Sequence, residues 1–101
     1  MFKYKILSTT DYDDWRLSLQ DRDRRQIAKR LDLIKDEGHF GDHHPVTDDA
    51  SVWELRWANG RRIYYAYLFK QRVLLLLGGN KNGQTKDIKR AQTILSKNVR
   101  A

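Results

Sequence analysis

The sequence predicts a single α+β domain with the element order β-α-α-β-β-β-α, in which an N-terminal helical hairpin packs on a small, mostly antiparallel sheet and a C-terminal helix follows. Apolar residues recur at helical spacing over 10–37 and 85–98. The 101 residues can bury one hydrophobic core but not two, so the domain is expected to span residues 1–101. Three runs with strand character follow one another with only turn residues between them: 52–58, 61–69 and 73–77.

The first part of the chain predicts a strand and a helix. Apolar and basic residues alternate over 3–7, as in a strand with one buried face. Thr10 and Asp13 have the spacing of a capping box, so a helix is predicted to begin at Thr10. The buried stripe of this helix consists of Tyr12, Trp15 and Leu19.

A second helix is predicted from Arg22 to Glu37. Gly38 is its expected end, because glycine readily adopts the left-handed conformation that terminates helices. The two helices together form a hairpin that can cover one face of the sheet. The inward residues of the second helix are Ile27, Leu31 and Ile34.

Three histidines follow the hairpin: His39, His43 and His44. Nearby aspartates raise the alternative of a metal site. However, adjacent histidines on an irregular segment with Gly41 and Pro45 lack the fixed ligand spacing of known sites. The segment is therefore predicted to be a surface loop, and no metal is assigned.

The three strands that come next form a predicted meander. Asn59-Gly60 predicts a type I′ turn, in which both central residues need positive φ, and a second turn is predicted at Lys70-Gln71. The run 73–77 does not alternate, so both of its faces are expected to be buried. Gly78-Gly79-Asn80-Lys81 is interpreted as a tight turn that ends the meander with a lysine.

The last helix is predicted to begin at Thr85, as its N-cap, and to end near Asn98. Three apolar residues at helical spacing are expected to face the sheet. These are Ile88, Ala91 and Leu95, whereas the basic residues on the outer face are Lys86, Lys89, Arg90 and Lys97.

Basic charge is concentrated in the second half of the chain. Residues 1–50 carry a net charge of −2, whereas residues 51–101 carry +9. Such a basic surface is the electrostatic footprint of a nucleic-acid-binding protein, although it can also serve solubility alone. The candidate nucleic-acid-binding residues are Arg61, Lys86, Lys89 and Arg90.

Composition excludes several classes of protein. The absence of cysteine rules out disulfides and thiol catalysis. No apolar run approaches the ~20 residues that span a bilayer. The start of the chain also lacks the apolar segment of a signal peptide. A cytoplasmic location without membrane association is therefore expected.

Polar residues of the meander are predicted to share one face of the sheet. The two-residue repeat places Glu54 and Arg56 on one face of their strand, and Arg62 and Tyr64 on one face of its neighbour. Lys81 can reach this group from the end of the next strand. Two interpretations stay open: a site for a phosphodiester, or a structural pair of Glu54 and Arg56 with the tyrosines in the core. The residues expected on the opposite face, toward the helical hairpin, are Trp53, Leu55, Trp57, Ile63 and Tyr65.

Cleavage of RNA is a reaction that suits such a polar group. When the 2′-hydroxyl of RNA attacks the adjacent phosphate, a proton must be removed, a phosphorane neutralised and the departing 5′-oxygen protonated. Arginine supplies fixed, bidentate charge to the phosphorane. Lysine, tyrosine or glutamate can transfer protons when their neighbours shift their pKa values. No metal or other cofactor is required.

Several short motifs occur in the order and spacing of a known family. They are Glu54-Leu55-Arg56, Arg62-Ile63-Tyr64-Tyr65, Leu75-Leu76-Leu77-Gly78-Gly79-Asn80-Lys81, Gln84, and Asp87-Ile88 followed by Ala91. Together they resemble the phage-derived addiction-module killer proteins, which are HigB-like toxins of the RelE/ParE superfamily. The resemblance extends from near Trp15 to near Leu95 and implies a RelE/ParE-like domain.

The resemblance implies the toxin of a type II toxin–antitoxin system. Such a toxin is held inactive by a cognate antitoxin in a hetero-oligomer and, once released, acts as an mRNA interferase that cleaves messenger RNA, usually on the ribosome. The basic and aromatic site residues of the superfamily correspond to positions of this chain that make up its expected catalytic set. These are Arg56, Arg62, Tyr64 and Lys81, with Glu54 as a further candidate.

This chain also departs from the family pattern. Arg61-Arg62 stands where the family usually has tyrosine and then arginine, and Asn80 replaces a common aspartate, so the site is more basic than usual. Two alternatives remain. One is the ParE-type branch, which poisons DNA gyrase and cleaves no RNA, and the other is a non-enzymatic nucleic-acid-binding phage accessory protein.

Overall fold

The computed structural model describes residues 2–98 and contains five strands and three helices in that range. The predicted α+β class is confirmed, whereas Met1 and residues 99–101 of the predicted 1–101 domain lie outside the described range. In chain order the elements are β1 (Lys5–Ser8), α1 (Thr10–Leu17), α2 (Asp21–Glu37), β2 (His43–Pro45), β3 (Trp53–Arg56), β4 (Arg61–Leu68), β5 (Arg72–Asn80), a 3-10 turn (Lys81–Gly83) and α3 (Gln84–Asn98).

The five strands form one sheet in the order β1-β5-β4-β3-β2. β1 is parallel to β5, and every other neighbouring pair is antiparallel. The prediction that His43 and His44 lie in a loop is wrong, because His43–Pro45 forms the edge strand β2. In that strand His43 lies opposite Leu55 and His44 lies opposite Glu54.

Helices α1 and α2 cover one face of the sheet, as predicted. Gly38 ends α2 in the left-handed conformation with φ of 69°, also as predicted. The meander residues expected on this face do pack here, with Leu55, Ile63 and Tyr65 completely buried. The buried core of this face consists of Tyr12, Ile27, Ile34, Phe40, Leu55, Ile63, Tyr65, Val73 and Leu75.

Helix α3 covers part of the opposite face. The register of β4 against β5 shifts between Tyr64 and Tyr65, because Leu76 is an extra residue in β5. As a result, Leu76 and Leu77 both belong to this second core. The expectation that the β5 run is buried on both faces is confirmed. The buried residues on this side are Val52, Tyr64, Ala66, Leu74, Leu76, Leu77, Ala91 and Ile94.

Gly78 and Gly79 lie within β5 and do not form the predicted turn. Their role is to let both helical layers approach the strand closely. A Cβ atom on Gly78 would lie 2.1 Å from the indole ring of Trp15 in α1. On the other face, a Cβ atom on Gly79 would lie 2.2 Å from a carboxylate oxygen of Asp87 in α3. A larger residue at Gly78 would therefore displace the rigid indole of Trp15, whereas at Gly79 the flexible end of the Asp87 side chain would have to turn away.

The hairpin turns differ from the sequence prediction. Gly60 has a φ of 98°, but Asn59 does not have positive φ, so Asn59-Gly60 is not a type I′ turn. Instead, the amide of Gly60 donates to the carbonyl of Trp57, as in a type I turn that ends in a left-handed glycine. At the second turn, Lys70 and Gln71 both have positive φ, and neither is a glycine.

Two helix starts also differ in their capping residues. α1 begins at Thr10 as predicted, but its cap is Thr9, whose hydroxyl accepts from the amide of Tyr12 at 3.1 Å. The same hydroxyl donates to the carbonyl of Leu76 at 2.7 Å, which ties the helix start to β5. α3 begins at Gln84 directly after the 3-10 turn, so Thr85 is not its N-cap. None of the helices described in 2–98 is both long and apolar enough to cross a membrane.

Candidate functional site

Strand pairing brings four predicted site residues together on the face of the sheet that carries α3. Glu54 lies opposite Tyr64, and Arg56 lies opposite Arg62 in the antiparallel pair of β3 and β4. Two residues from other elements complete the group. We call Glu54, Arg56, Arg62, Tyr64, His44 and Gln84 the polar cluster.

Glu54 is the centre of the polar cluster. Its side chain is completely buried. Its Oε1 atom accepts from Nε of Arg56 at 2.5 Å and lies 3.6 Å from Nε of Arg62. Its Oε2 atom accepts from the side-chain amide of Gln84 at 2.8 Å. A buried carboxylate needs such partners, and its burial leaves Glu54 to hold the arginines in place without itself contacting a substrate.

The two arginines form the cationic part of the polar cluster. The side chain of Arg56 is 36% exposed, and that of Arg62 is 12% exposed. Arg62 donates from Nη1 to the carbonyl of Arg61 at 3.2 Å, while its buried Nε makes no hydrogen bond within residues 2–98. Because Arg56 uses its Nε to hold Glu54, its terminal nitrogens can point outward. Two guanidinium groups on paired strands, one of them open to solvent, suit the binding of an anion.

Tyr64 is the most apolar member of the polar cluster and packs in the core of the α3 face. Its side chain is completely buried, and its hydroxyl makes no hydrogen bond among the residues described. Burial raises the pKa of the Tyr64 hydroxyl, and the carboxylates of Glu54 and Asp87 raise it further. The phenol is therefore neutral at physiological pH and out of reach of a bound molecule. The structure thus places this predicted catalytic tyrosine in the core of the α3 face.

Lys81 follows β5 and lies next to the turn between β3 and β4. Its amide donates to the carbonyl of Gly60 at 2.8 Å. Its side-chain methylene groups run past Gly60, with Cγ 3.5 Å from the position that a Cβ atom would occupy there. The residue is exposed. Arg62 pairs with Gly79, and Lys81 follows Gly79 by two residues in the chain. Lys81 therefore lies at the same end of the sheet as Arg62.

The four predicted nucleic-acid-binding residues fall on different surfaces. Arg61 is on the opposite face of the sheet, where only 8% of its side chain is exposed. There it binds Asp23 at 2.7 Å, which makes it a link between β4 and α2 and leaves it unsuited to contact nucleic acid. On α3, Lys86 and Lys89 are exposed, and Arg90 pairs with Asp11 of α1 at 3.0 Å.

His44 belongs to the site although its sequence context predicts a loop. Its Nε2 atom lies 3.4 Å from Oε1 of Glu54, and its side chain is 34% exposed. A three-residue strand is too short for a periodic pattern, so only its pairing with β3 reveals that His44 faces the arginines. Gln84, which belongs to one of the family motifs, reaches Glu54 because the 3-10 turn brings the start of α3 back to the sheet.

No three residues among His, Cys, Asp and Glu are arranged to hold a metal ion in the part of the chain that the structure describes. What the polar cluster offers is a buried carboxylate, two oriented guanidinium groups, a partly exposed imidazole and a neighbouring lysine. This combination can bind a phosphate group, stabilise added negative charge on it and transfer protons next to it.

Solved structures with a similar fold include bacterial and archaeal toxins. A mutant of the E. coli toxin RelE in the free state gives a TM-score of 0.68 at 12% identity, and the match covers 98% of this chain and 99% of that chain. The RelE–RelB complex from Pyrococcus horikoshii OT3 gives 0.64 at 14% identity, with coverage of 78% and 96%. The toxin–antitoxin complex RelBE2 from Mycobacterium tuberculosis gives 0.63 at 17% identity, with coverage of 79% and 93%. The protein therefore has the fold of the RelE toxins.

Sequence comparison identifies the particular family. The family described as Phage derived protein Gp49-like (DUF891) matches residues 14–97. An uncharacterized protein of Haemophilus influenzae is 36% identical over 94 residues, which are 89% of this chain and 91% of that protein. The chain belongs to the Gp49-like family of phage-derived proteins. The resemblance to phage-derived proteins with a RelE-like fold is thereby confirmed, whereas membership of the HigB-like branch stays a prediction.

Proposed function

We propose that the protein is the toxin of a type II toxin–antitoxin system and acts as an mRNA interferase on the ribosome. The observation that carries this proposal is the pair of arginines, Arg56 and Arg62, held side by side by the buried carboxylate of Glu54. The RelE-like fold and the phage-derived family support it. A HigB-like subtype and a cytoplasmic location are parts of the same proposal.

In the proposed reaction, the guanidinium groups bind the scissile phosphate, and the ribose joined to it through its 3′-oxygen provides the attacking 2′-hydroxyl. Arg56 and Arg62 then stabilise the phosphorane, which carries more negative charge than the ground-state diester. Glu54 supports this by fixing the arginine side chains before the substrate arrives. Lys81, at the same end of the sheet, adds a mobile cation that can contact the phosphate.

The messenger RNA reaches the polar cluster along the basic side of α3 in this proposal. Lys86 and Lys89 are exposed there and provide phosphate contacts that do not depend on sequence. Arg90 can join them if its exposed pair with Asp11 opens, which costs little because exposed ion pairs are weak. Arg61 is left out of this path because Asp23 already binds it on the other face.

The partner in this proposal is a cognate antitoxin that forms a hetero-oligomer with the toxin. Two of the similar structures are described as complexes of RelE-type toxins with their antitoxins. We expect that expression of the protein alone slows growth and that co-expression of its antitoxin restores it. Normal growth during strong expression of verified, folded protein would contradict the toxin function.

A three-part assay separates this function from the two alternatives. Purified protein is incubated with translating ribosomes, with free RNA, and with gyrase and supercoiled plasmid. We expect cleavage of the messenger RNA on ribosomes and no linear DNA from gyrase. Gyrase-dependent DNA breaks without RNA cleavage would favour a ParE-type toxin. Binding of RNA with no cleavage in any part would favour a non-enzymatic accessory protein.

A further inference from the structure

His44 is the histidine that the fold brings to the polar cluster. It lies opposite Glu54 on β2, and its Nε2 atom is 3.4 Å from the Glu54 carboxylate. The other two histidines are elsewhere. His43 points to the opposite face, where its ring stacks on that of Trp53. His39 is exposed after the end of α2.

The proposed reaction needs a proton donor for the departing 5′-oxygen, and burial excludes two members of the polar cluster. The side chains of Glu54 and Tyr64 are both completely buried. The arginines remain protonated throughout, so Arg56 and Arg62 supply charge but no proton. Imidazole is the side chain that exchanges a proton most readily near neutral pH. In the polar cluster this leaves His44, with about a third of its side chain exposed.

The position of Glu54 determines how His44 can act. The carboxylate faces Nε2, and it attracts a positively charged ring. The imidazole is thereby oriented, and Nδ1 is left to contact a bound molecule. A carboxylate that orients one ring nitrogen of an imidazole while the other transfers a proton is a recurrent arrangement in enzymes, although at His44 the two nitrogens exchange the places they have in the Ser-His-Asp triad.

We propose that His44 is a catalytic residue, the general acid that protonates the leaving 5′-oxygen; this inference rests on the proposed ribonuclease function. The 2′-hydroxyl loses its proton to water, and its oxygen forms a bond to phosphorus. The bond between phosphorus and the 5′-oxygen breaks, and its electron pair stays on that oxygen, which takes the Nδ1 proton of His44. The products are a 2′,3′-cyclic phosphate and a 5′-hydroxyl end. Neutral His44 regains its proton from water.

A substrate with a sulfur leaving group tests this role. A messenger RNA with one 5′-phosphorothiolate linkage needs no general acid, because a thiolate leaves without protonation. The measurement is single-turnover cleavage on programmed ribosomes, with the oxygen and sulfur substrates in parallel. His44→Ala should lower cleavage of the oxygen substrate by roughly a hundredfold or more, the usual contribution of general acid catalysis. Cleavage of the sulfur substrate should fall less than about threefold, since no proton transfer remains to be lost.

Matched variants separate this inference from a structural role. Arg56→Ala should impair cleavage of both substrates, because the phosphorane forms in either case. His39→Asn should leave both unchanged. His44→Asn is a second variant in case His44→Ala does not fold, and melting curves check folding of each protein. An equal loss on both substrates, or no loss on either, overturns the role of His44 as the acid. If the parent protein cleaves neither substrate, the proposed function itself fails.

Discussion

Among the single residues, Glu54 carries the buried charge on which the polar cluster depends. Glu54 is completely removed from solvent, yet it is surrounded by Arg56, Arg62, His44 and Gln84. Breaking a buried ion pair costs much more than the net stability that the pair provides, because the remaining charge loses its partner. The arginines are therefore both structural partners of Glu54 and the proposed phosphate ligands.

Replacement of Glu54 tests this dependence. Glu54→Gln keeps the shape but removes the charge, so Arg62 is left largely buried without a carboxylate. We expect the free energy of unfolding to fall by about 3 kcal/mol, the lower end of the range for breaking a buried pair, since Arg56 is partly in water. Urea unfolding provides the measurement, and the exposed Glu37→Gln on α2 is the matched control. Equal urea midpoints for the two variants would contradict the central role of Glu54.

Tyr64→Phe tests the buried phenol. Since the hydroxyl is buried and has no partner, we expect cleavage per folded molecule to stay within about threefold of the parent, with stability unchanged or higher by about 1 kcal/mol. The raised pKa of Tyr64 means that the folded protein keeps a proton that the unfolded chain loses, so stability falls as the pH rises above about 10. The variant should lose less stability than the parent between neutral pH and about pH 11. A loss of cleavage greater than tenfold with unchanged stability would instead show that the hydroxyl reaches the substrate.

At the scale of elements, β5 determines how the two helical layers are placed. Gly78 accommodates Trp15 on one face, and Gly79 accommodates Asp87 on the other. The extra residue Leu76 lets the apolar side chains of the strand reach both cores. The site depends on this arrangement, because the start of α3 brings Gln84 to Glu54.

Gly78→Ala should weaken the contact between β5 and α1. The new methyl group would lie 2.1 Å from the Trp15 ring, which is held between the helix and the sheet. Forcing an extra methyl group into a packed contact costs about 1–3 kcal/mol. The comparison is Gly83→Ala, whose Cβ atom would lie 3.2 Å from the flexible end of Asp87. The melting temperature of Gly78→Ala should lie well below that of Gly83→Ala. The reverse order would show that α1 can move without cost.

Leu76→Asp should unfold the domain. Leu76 is completely buried between β5 and α3, and an unpaired carboxylate there costs several kcal/mol, comparable with the stability of a small domain. Leu17→Asp provides the control, because the Leu17 side chain is 67% exposed at the end of α1. Circular dichroism melting curves compare the two. A cooperative transition near that of the parent in Leu76→Asp would show that this part of β5 is not in the core.

Most elements could be predicted because their signals are local. The helical periodicity of α2 and α3 and the run of apolar residues in β5 depend only on neighbouring residues. Elements that depend on contacts between residues far apart in the sequence could not be predicted. β2 is three residues long and exists through its pairing with β3. Gly78-Gly79 looked like a turn because a sequence does not reveal which side chains approach a glycine from other elements.

In the site, as in the rest of the molecule, features with a local sequence signal could be predicted, and features that depend on the complete fold could not. Strand periodicity and one hairpin sufficed to predict that Glu54, Arg56, Arg62 and Tyr64 share a face. How deeply these side chains are buried could not be predicted, because burial of Glu54 and Tyr64 depends on how α3 covers the sheet. The place of His44 in the site could not be predicted for a related reason, since His44 lies on a strand that only the folded sheet defines.

The whole molecule also separates its charges by face. Arg61 and Arg30 on the hairpin side both contact the ring of Trp57, and Arg61 is bound by Asp23, so their charge serves the packing of α2 on the sheet. The polar cluster and the basic residues of α3 lie on the other side. A polyanion such as RNA is therefore expected to approach the α3 side.

Cleavage of messenger RNA on translating ribosomes by arginine variants, expressed per folded molecule, tests whether Arg56 and Arg62 form the active site. Arg56→Ala and Arg62→Ala should each lose roughly a hundredfold or more, as expected when a preorganised charge at the transition state is removed. Arg56→Lys should recover little, because an ammonium group cannot form two parallel hydrogen bonds to phosphate. Arg25→Ala, on the exposed surface of α2, is the control and should cleave like the parent. Near-parental cleavage by folded Arg56→Ala and Arg62→Ala would show that the polar cluster is not the active site.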